Sequence, residues 1–545
     1  MVKVSGARAI IESLKLHNVD TIFGIISIHT LDLYDILASE QDQVRFIGGR
    51  QELGVGFMAD GYARVSGKPG ILLTSTGPGA ADSIGAVGEA YFSASPVLEI
   101  TTNVEQEFMG KGMLPTHDVK DQSAMFSAVT DWNTNIGQVD AIPDHFVEAF
   151  QRFASKRPRP IELELPTDLL AIESDVELLP PVEPDIPKAT SQQIEHLTAM
   201  LKQSKRPVIF VGEEMQMMGG SEDLIQFAEK HGIPVVTGDG AKGTFPENHP
   251  LSLGQAIGKR IWGENPLLEW LGTCDFGLVL GASLPYRSTA GIGLQMPNKF
   301  VHVLLDDSII DKNYQSDLSV IGNSQAVLAQ ISDNLGDYVH NSSSEYKQEI
   351  LDMKQEIQST LKSTWGNELR TWQAIRESLP EDTIFSLDPT VPASRASRCL
   401  EINSPRTFMY PHGWLGLGFA FPAALGAKVA KPETPVVCVT GDGGFQYNLQ
   451  ELATAKQYGL NPIVLMFNDN AWGVLKDYQK QRFDSRFFAT DLVNPDFSKL
   501  FDSYGFDSFV VDNVNDLKQA LKKAVNSQEL TLIEVKIPNG FAEFV

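Results

Sequence analysis

Short apolar runs alternate with helix-like stretches along the first third of the chain. Three such runs are residues 70–76, 96–102 and 160–166, with the sequences GILLTST, PVLEITT and PIELELP. Runs that are apolar throughout are typical of strands buried on both faces of a parallel sheet, and the helix-like stretches between them favour crossover helices. The pattern therefore predicts a first α/β domain over residues 1–170.

The same pattern returns twice after a proline-rich break. Residues 171–190 contain four prolines and no helical or strand period, so we interpret them as a linker. A second domain is predicted over 190–340 and a third over 360–545, with a long charged helix predicted at 346–378. The segments that carry predicted strands are 207–212, 233–238, 276–282, 300–307, 435–444 and 462–470. The sequence thus predicts an α/β protein of three doubly wound, mainly parallel-sheet domains.

Length and charge narrow the class of protein. The chain has 545 residues, which at roughly 100–200 residues per domain agrees with about three domains. Its 44 Lys and Arg against 69 Asp and Glu give a net charge of −25. Such a surface is repelled by nucleic acid and by anionic membranes. We therefore expect a small-molecule enzyme without nucleic-acid or membrane partners.

Local features of the chain point to an intracellular protein. No run approaches the roughly 18 apolar residues of a membrane span, and the first twenty residues are predicted to form a helix that carries Glu12 rather than a signal peptide. The three cysteines, Cys274, Cys399 and Cys438, are too few and too scattered for a disulfide framework or a zinc site. We expect a reducing, cytoplasmic location.

Acidic and glycine residues follow two predicted strands of the third domain. The strand PVVCVT ends in Gly441-Asp442-Gly443-Gly444, and the strand PIVLMF is followed by Asp469. A strand–helix–strand crossover places the carboxyl ends of both strands at one sheet edge. Two carboxylates there suit Mg²⁺, and the glycines would let a phosphate approach the backbone. On spacing alone, the two aspartates could equally cap the helices that follow.

The whole segment from 441 to 470 closely resembles the thiamine-diphosphate motif. It is similar to the version found in the family of acetolactate synthases, pyruvate oxidases, benzoylformate decarboxylases and benzaldehyde lyase. By resemblance, Asp442 and Asp469 coordinate Mg²⁺ through their side chains, and Ala471 contributes its carbonyl oxygen. Many members have Asn where this chain has Asp469, and the extra negative charge of the carboxylate would alter metal affinity.

A second segment of the same family lies in the first domain. Residues 50–70, RQELGVGFMADGYARVSGKPG, resemble the part of the family that bears an essential glutamate, which corresponds to Glu52. A carboxyl in an apolar pocket can hold its proton near neutral pH and hydrogen-bond the aminopyrimidine ring of the cofactor, which promotes loss of the C2 proton. Without the resemblance, Glu52 would be a glutamate that complements the dipole of its helix.

Shorter matches extend the resemblance over nearly the whole chain. TSTGPGAAD at 74–82 resembles the turn that faces the pyrimidine, and 413–427 resembles the segment whose bulky residue, here Leu417, bends the cofactor. Asp388 and Thr390 lie where relatives contact the diphosphate, although relatives commonly have Gly where this chain has Pro389. The cofactor-binding residues implied by the resemblance are Glu52, Thr76, Gly77, Pro78, Asp388, Thr390, Gly416, Leu417, Gly441, Asp442, Gly443, Gly444, Asp469, Ala471, Trp472 and Gly473.

Two histidines are candidate catalytic groups that face the substrate. By resemblance, His29 falls where benzaldehyde lyase carries a pocket histidine, and His117 falls near a position where acetolactate synthases and oxidases use glutamine. An imidazole at either place could relay protons to and from the reacting substrate. The alternative for each is a structural histidine.

The middle domain resembles the family least. Flavin-binding relatives carry an arginine-rich segment there, whereas residues 281–293 of this chain contain Arg287 alone among arginines. We expect a structural domain that holds no cofactor. The alternative is a domain that binds FAD or another nucleotide.

The resemblance implies a thiamine-diphosphate and Mg²⁺-dependent enzyme. Such an enzyme decarboxylates a 2-oxo acid, or ligates or cleaves the C–C bond next to a carbonyl, as an acetolactate-synthase-like or benzaldehyde-lyase-like carboligase. Its three domains would bind the pyrimidine, act as a structural centre, and bind the diphosphate. The family also implies a homodimer or homotetramer with active sites at the subunit interface. Two alternatives are a flavin-dependent enzyme of the pyruvate oxidase type and a non-catalytic homologue that binds thiamine diphosphate or a nucleotide.

Overall fold

A computed structural model describes residues 1–258, 263–289, 291–538, 540–542 and 544. Within these ranges, no helix is both long enough and apolar enough to cross a membrane. The three cysteines are buried and free.

The first third of the chain alternates strands with helices. Ser5 caps the first helix through its side chain, and Gly67 ends the third helix in a left-handed conformation. The elements in order are β1 (Val2–Ser5), α1 (Gly6–Leu16), β2 (Thr21–Gly24), α2 (Leu31–Ser39), β3 (Arg45–Gly48), α3 (Glu52–Ser66), β4 (Gly70–Thr74), α4 (Pro78–Phe92), β5 (Val97–Asn103), α5 (Gln122–Phe126), β6 (Trp132–Asn135), α6 (Ile142–Ser155), β7 (Ile161–Pro166) and β8 (Glu173–Val176).

The middle third repeats the alternation and ends in one long helix. That helix, α12, contains a kink at Trp365, whose backbone is not helical. The elements are α7 (Ser191–Gln203), β9 (Pro207–Val211), α8 (Glu213–Met217), α9 (Ser221–His231), β10 (Val235–Thr237), β11 (Ser252–Gln255), α10 (Leu267–Trp270), β12 (Phe276–Leu280), β13 (Phe300–Leu304), β14 (Leu318–Ile321), α11 (Ser324–Leu335) and α12 (Ser344–Glu377).

The last third contains a third set of strands. Gly459 ends the second of its two short central helices in a left-handed conformation, as predicted. The elements are β15 (Ile384–Leu387), α13 (Val391–Cys399), β16 (Phe408–Met409), α14 (Ala420–Ala430), β17 (Val436–Gly441), α15 (Asp442–Phe445), α16 (Leu452–Tyr458), β18 (Ile463–Asn468), α17 (Gly473–Arg482), α18 (Phe497–Ser503), β19 (Asp507–Val511), α19 (Val514–Val525) and β20 (Thr531–Lys536).

The strands form three six-stranded parallel sheets, which confirms the predicted α/β fold of three doubly wound domains. Their orders are β3-β2-β4-β5-β7-β6, β11-β10-β9-β12-β13-β14 and β16-β15-β17-β18-β20-β19. Every pairing within these sheets is parallel in the described residues. In the first sheet, apolar residues of β4, β5 and β7 form a core with α1 and α6.

One detail of the prediction was wrong. The segment 171–190 is not irregular throughout, because β8 lies within it and pairs antiparallel with β1. Val176 of that strand is buried, and the strand lies a few residues before the first proline of the segment. The charged helix predicted at 346–378 is present at Ser344–Glu377, with a kink that the sequence analysis did not predict.

The chain packs into two compact units. The first unit contains Met1–Asp185, Pro411–Glu433 and Gln446–Asn461, and the second contains Ile186–Tyr410, Thr434–Phe445 and Pro462–Val545. The first sheet belongs to the first unit, and the other two sheets belong to the second. The domain limits 1–170, 190–340 and 360–545 stay predictions.

Candidate active site

Glu52 is the first residue of α3 in the first unit. Its carboxyl is half-buried and lies beside the first turn of α4, since a Cβ placed on Gly79 would be 3.4 Å from Glu52 Oε1. Burial raises the pKa of Glu52, and the nearby charge of Asp82 adds to the increase. The position satisfies both sequence interpretations: Glu52 complements the helix dipole, and its environment favours a carboxyl that keeps its proton.

A buried glutamate that the sequence analysis did not single out fixes the loop before Glu52. Glu451 Oε1 accepts a hydrogen bond from the backbone N–H of Arg50 at 3.0 Å and lies against Gly54. Thr454 Oγ1 donates to the other oxygen of Glu451 at 2.5 Å. Since Glu451 lies 399 positions after Glu52 in the chain, no local pattern could have revealed this contact.

The predicted pyrimidine-facing turn joins β4 to α4. Thr76 is buried, and its hydroxyl lies 3.0 Å from that of Thr102. Gly77 has a φ of +62°, and a side chain there would collide with the carbonyl oxygen of His117, so glycine is required. Pro78 opens α4, where its missing N–H costs nothing.

Gln122 fastens this turn and was also missed. Its Oε1 accepts the backbone N–H of Gly77 at 2.8 Å, and its Nε2 donates to the carbonyl of Thr102 at 2.9 Å. The side chain is buried, so both bonds replace contacts with water that the backbone has lost. Two signals in the sequence were available: Gln122 lies five residues after His117, and it is a polar residue at the start of a short apolar helix, where it needs a hydrogen-bond partner.

The structure brings the two predicted histidines together. The ring centroids of His29 and His117 are 4.8 Å apart. His29 lies in a short 3₁₀ turn after β2, and its Nδ1 is buried without a hydrogen-bond partner among the described residues. Burial lowers the pKa of His29, and the neighbouring His117 lowers it further. A neutral imidazole with a free ring nitrogen can accept a proton.

Gly416 and Leu417 also belong to the first unit. Leu417 is half-buried in a turn rather than enclosed in the core. A Cβ on Gly416 would lie 3.3 Å from the Phe57 ring on α3, the helix that begins at Glu52. The structure therefore places the segment before α14 against the helix that carries Glu52.

In the second unit, β17 and β18 are adjacent and parallel, with Gly441 opposite Phe467. Asp442 and Asp469 follow the two strands directly and lie close enough for Asp469 to donate a hydrogen bond to Asp442. Burial raises the pKa of both carboxyls. For Asp469, the charge of Asp442 adds to the effect of burial and raises the pKa to about 6. The predicted convergence at the sheet edge is confirmed.

Asn494 and residues of the motif make hydrogen bonds to this pair. Asn494 donates to Asp442 Oδ2 at 2.7 Å and to the side chain of Asn470 at 3.0 Å. Asp469 Oδ1 accepts the N–H of Ala471 at 3.1 Å. Asn494 lies outside the motif and was missed, since nothing in its local sequence distinguishes it from a surface loop residue.

Glycines let the neighbouring groups approach one another. Gly473 lies directly against Asp469 Oδ2, and the ring of Trp472 covers the position that a side chain at Gly443 would need. Larger residues at either glycine would push the carboxylate or the ring away.

Asp388, Thr390, Gly441 and Gly444 form the adjoining wall. Asp388 is buried at the end of β15, where Thr440 Oγ1 donates to its Oδ2 at 2.6 Å, and a Cβ on Gly444 would be 2.8 Å from the same oxygen. Thr390 caps α13 by accepting the N–H of Ala393 at 3.2 Å. Of the cofactor-binding residues predicted within 360–545, all except Gly416 and Leu417 therefore lie around the ends of β15, β17 and β18.

The donor set of this cluster fits a magnesium ion. Nowhere in the described ranges do three or more His, Cys, Asp or Glu side chains converge as a metal cluster, so a metal here would depend on two carboxylates completed by backbone, phosphate or water oxygens. That set is typical of Mg²⁺. Two buried carboxylates side by side repel each other, and a bound cation would remove that repulsion.

Arg287 does not form an arginine-rich segment in the middle domain. Its Nη1 lies 3.9 Å from Asp239 Oδ2, after β10. Residue 290 of the 281–293 segment lies outside the described residues. The flavin alternative gains nothing from this geometry.

Comparisons with known proteins agree with the architecture. Residues 4–125, 194–331 and 392–535 match family models for the N-terminal TPP binding domain, the central domain and the C-terminal TPP binding domain of thiamine pyrophosphate enzymes. Thiamine pyrophosphate is another name for thiamine diphosphate. The three matched ranges each contain one of the three six-stranded sheets in whole or in large part.

Several curated proteins are similar along almost their full length. A probable acetolactate synthase large subunit of Methanocaldococcus jannaschii is 30% identical, over 98% of this chain and 92% of that protein. A probable 2-ketoarginine decarboxylase of Pseudomonas aeruginosa is 29% identical over 98% of this chain and 94% of that protein, and an acetolactate synthase of Arthrospira platensis is 28% identical over the same shares. The chain belongs to the thiamine pyrophosphate enzyme family.

Proposed function

We propose that this protein is a thiamine-diphosphate and Mg²⁺-dependent enzyme that decarboxylates a 2-oxo acid, or ligates or cleaves the C–C bond next to a carbonyl. Residues 1–170 would bind the pyrimidine, 190–340 would be a structural centre, and 360–545 would bind the diphosphate. The observation that carries the proposal is the Asp442–Asp469 pair at the ends of β17 and β18. A cation is the simplest partner for two such carboxyls.

Asp442 and Asp469 would hold Mg²⁺, with the carbonyl of Ala471 as a third ligand. Gly441, Gly443, Gly444, Trp472 and Gly473 would leave room for the diphosphate. Asp388 and Thr390 would line the adjoining side, and Asn494 would keep Asp442 oriented through its 2.7 Å hydrogen bond.

Glu52 would hold a proton for the cofactor. Thiamine diphosphate, when bound, supplies a carbon nucleophile that adds to a carbonyl group and accepts the electrons of the broken bond. A carboxyl with a raised pKa can donate a hydrogen bond to a ring nitrogen and take the proton back as the ring changes its protonation state. Thr76, Gly77 and Pro78 would face the pyrimidine, while Gly416 and Leu417 would support the cofactor from below.

His29 and His117 would move protons at the substrate. Burial keeps His29 neutral at neutral pH, so its free Nδ1 can accept a proton, while the adjacent His117 ring offers a second exchange site. Protonation of the fragment left after decarboxylation or C–C cleavage would release an aldehyde. Addition of that fragment to a second carbonyl compound would give a hydroxyketone, or a 2-hydroxy-3-oxo acid where the acceptor is a 2-oxo acid. Relatives described as acetolactate synthases and as a 2-ketoarginine decarboxylase fit the two outcomes.

Exposed apolar side chains support a homodimer or homotetramer. Ile26, Ile28 and Leu31 are exposed on either side of His29 in the first unit. In the second unit, Leu475 and Phe488 are exposed after Trp472, and α17 has no buried residue. Apolar groups beside candidate active-site residues are typical of surfaces that a second subunit covers.

A substrate panel tests the proposal. Purified protein with thiamine diphosphate and Mg²⁺ is given pyruvate, longer 2-oxo acids, benzoylformate and benzoin, and CO₂ and products are followed together. We expect CO₂ release or C–C bond exchange that depends on both additives. Activity without either additive would contradict the proposal, and a tightly bound yellow flavin in the absorbance spectrum would favour the oxidase alternative. Cofactor binding without turnover on any substrate would favour the non-catalytic alternative.

A further inference from the structure

A cavity of about 420 Å³ lies in the second unit between β11, α12 and α13. Much of its wall comes from the two halves of the kinked helix α12, including Lys354, Leu361 and Arg376. These residues fall between the ranges 194–331 and 392–535 that match the family models. Part of the cavity wall therefore comes from a segment that the three family models do not cover.

Two cations of this wall lack an acidic partner. Lys354 Nζ donates to the carbonyl of His249 at 2.8 Å, and Arg376 donates through Nη2 to the carbonyls of Leu379 and Pro380. In the described part of the chain, no carboxylate lies within salt-bridge distance of either side chain. Burial lowers the pKa of both cations, and this effect exceeds the opposing effect of the nearby acidic residues, of which Glu401 is common to both.

Two of the three glutamates of the same wall are already paired with a lysine, whereas the third, Glu401, accepts a hydrogen bond from Asn403 at 3.1 Å and its charge acts on both Lys354 and Arg376. Glu247 accepts two bonds from Lys242, at 2.6 and 2.7 Å, and a third from the N–H of Ile402. Glu377 pairs with Lys518 at 2.9 Å on the outside. Lys354 and Arg376 thus outnumber the one glutamate of the wall that is not paired with a cation, even though the chain as a whole carries −25.

Two buried polar atoms on the wall have no partner among the described residues. One is Ser397 Oγ and the other is Gln255 Oε1. Gln255 cannot satisfy its oxygen by turning over, because its Nε2 donates to the carbonyls of Gly238 and Asp239 at 3.1 Å each. Unpartnered polar atoms inside a folded chain usually contact water or a ligand.

A wider recess of about 790 Å³ adjoins the cavity and shares Lys354, Gln358, Leu369 and Gln373 with it. Lys362 and Arg370 add two more cations, and none of the described residues that line the recess is acidic. A surface of one sign beside a cavity concentrates ligands of the opposite sign.

We propose that this cavity binds a small aliphatic carboxylate. Lys354 and Arg376 would donate to the carboxylate, and Leu253, Ile357 and Leu400 would contact the aliphatic part. At about 30 Å³ per water, the volume equals roughly fourteen waters, which is enough for a branched acid of about ten non-hydrogen atoms. The site is separate from the Asp442–Asp469 cluster in its residues and does not depend on the proposed reaction.

Calorimetric titration of the full-length protein with 4-methylpentanoate tests the proposal. Its neutral amide and inorganic phosphate serve as comparison ligands, one without the charge and the other without the aliphatic part. We expect each to bind about tenfold more weakly than the acid, or worse. Because a branched acid could also enter the active site, the titration is repeated with Asp442→Ala, which should leave this binding unchanged whether or not the proposed function is right.

Variants of the wall make the test specific. Arg376→Gln should weaken binding by about tenfold or more, and Ile357→Trp, which fills the cavity without removing a charge, should abolish it in a protein that still unfolds cooperatively. Lys347→Gln, on the same helix but outside both cavities, is the matched control and should change nothing. Unchanged binding in Ile357→Trp, equal binding of the amide or phosphate, or no binding of the acid at millimolar concentration would each overturn the proposal.

Discussion

The two compact units raise the pKa of their candidate active-site carboxyls by different physical routes. In the first unit, Glu52 stands alone at the start of α3, and burial is the main cause. In the second unit, the buried Asp442 and the half-buried Asp469 lie beside each other at two strand ends, and for Asp469 the charge of Asp442 adds to the effect of burial.

The difference shows how neighbours assign different chemistry to the same functional group. A single half-buried carboxyl lowers its free energy by keeping a proton, which suits hydrogen bonding to a ring nitrogen. A pair lowers its free energy by binding a cation between its members. Substitutions at four positions test this difference between the units, and we give them in order of decreasing expected effect.

Glu52→Gln should lower turnover by about 10²- to 10⁴-fold, because an amide cannot exchange a proton with the cofactor. Binding of thiamine diphosphate should change little. Turnover on the best substrate of the panel and calorimetric binding of the cofactor measure the two effects separately.

Asp32→Asn is the matched control, since Asp32 is an exposed acid in the first turn of α2. If Glu52 only complemented its helix dipole, both variants would show the same small change in stability and no loss of turnover. That result would remove Glu52 from the activation step.

Gln122→Leu should destabilise the first unit by about 2–5 kcal/mol, because it leaves the Gly77 N–H and the Thr102 carbonyl buried without partners. Denaturant unfolding measures the change. Gln43→Leu, at an exposed position, should stay near wild type. Equal stability of the two variants would show that the turn is held by other contacts.

Asp469→Ala should weaken Mg²⁺-dependent cofactor binding by about tenfold or more. Asp469→Asn keeps an oxygen ligand and removes the repulsion with Asp442, so it should bind the cofactor much better than the alanine variant. Asp491→Ala serves as the control, because Asp491 is an exposed acid in the loop after α17 and pairs with Lys476. If alanine and asparagine behaved alike, Asp469 would not be a ligand.

Glu99 extends the comparison to a carboxyl that has no catalytic assignment. Thr74 and Ser83 donate to one of its oxygens, yet complete burial raises its pKa from an ordinary 4.5 to about 8. Between these two pH values the folded chain keeps a proton on Glu99 that the unfolded chain loses. The contribution of the protonated Glu99 to the free energy of unfolding is therefore present in full below pH 4.5 and falls as the pH rises towards 8.

Glu99→Gln should remove that loss. We expect the wild type to lose about 1 kcal/mol or more, relative to the variant, between about pH 5 and about pH 8.5. Urea unfolding at both pH values gives the difference. A parallel decline of both proteins would mean that Glu99 is already ionised in the folded state.

The fold could be predicted from the sequence because buried parallel strands leave continuous apolar runs, as in β4, β5, β17 and β18. The strand β8 could not be predicted, since a strand of four residues just before a proline-rich segment leaves little pattern in the sequence. In the candidate site, the convergence of Asp442 and Asp469 followed from topology alone.

The supporting contacts were beyond reach for a different reason. Glu451 and Asn494 act through neighbours that are distant in the chain or outside the motif, and only the packed structure brings those partners together. The roles of Glu52, His29 and His117 stay predictions, since geometry gives their surroundings and not their chemistry.

We propose that Glu52 promotes loss of the C2 proton of bound thiamine diphosphate. The direct test is to measure, by quenching and NMR, how fast this proton exchanges with deuterated solvent. The account predicts exchange in the wild type that is at least about a hundredfold faster than in Glu52→Gln, with both proteins saturated with cofactor and Mg²⁺. Equal exchange rates in the two proteins would contradict it.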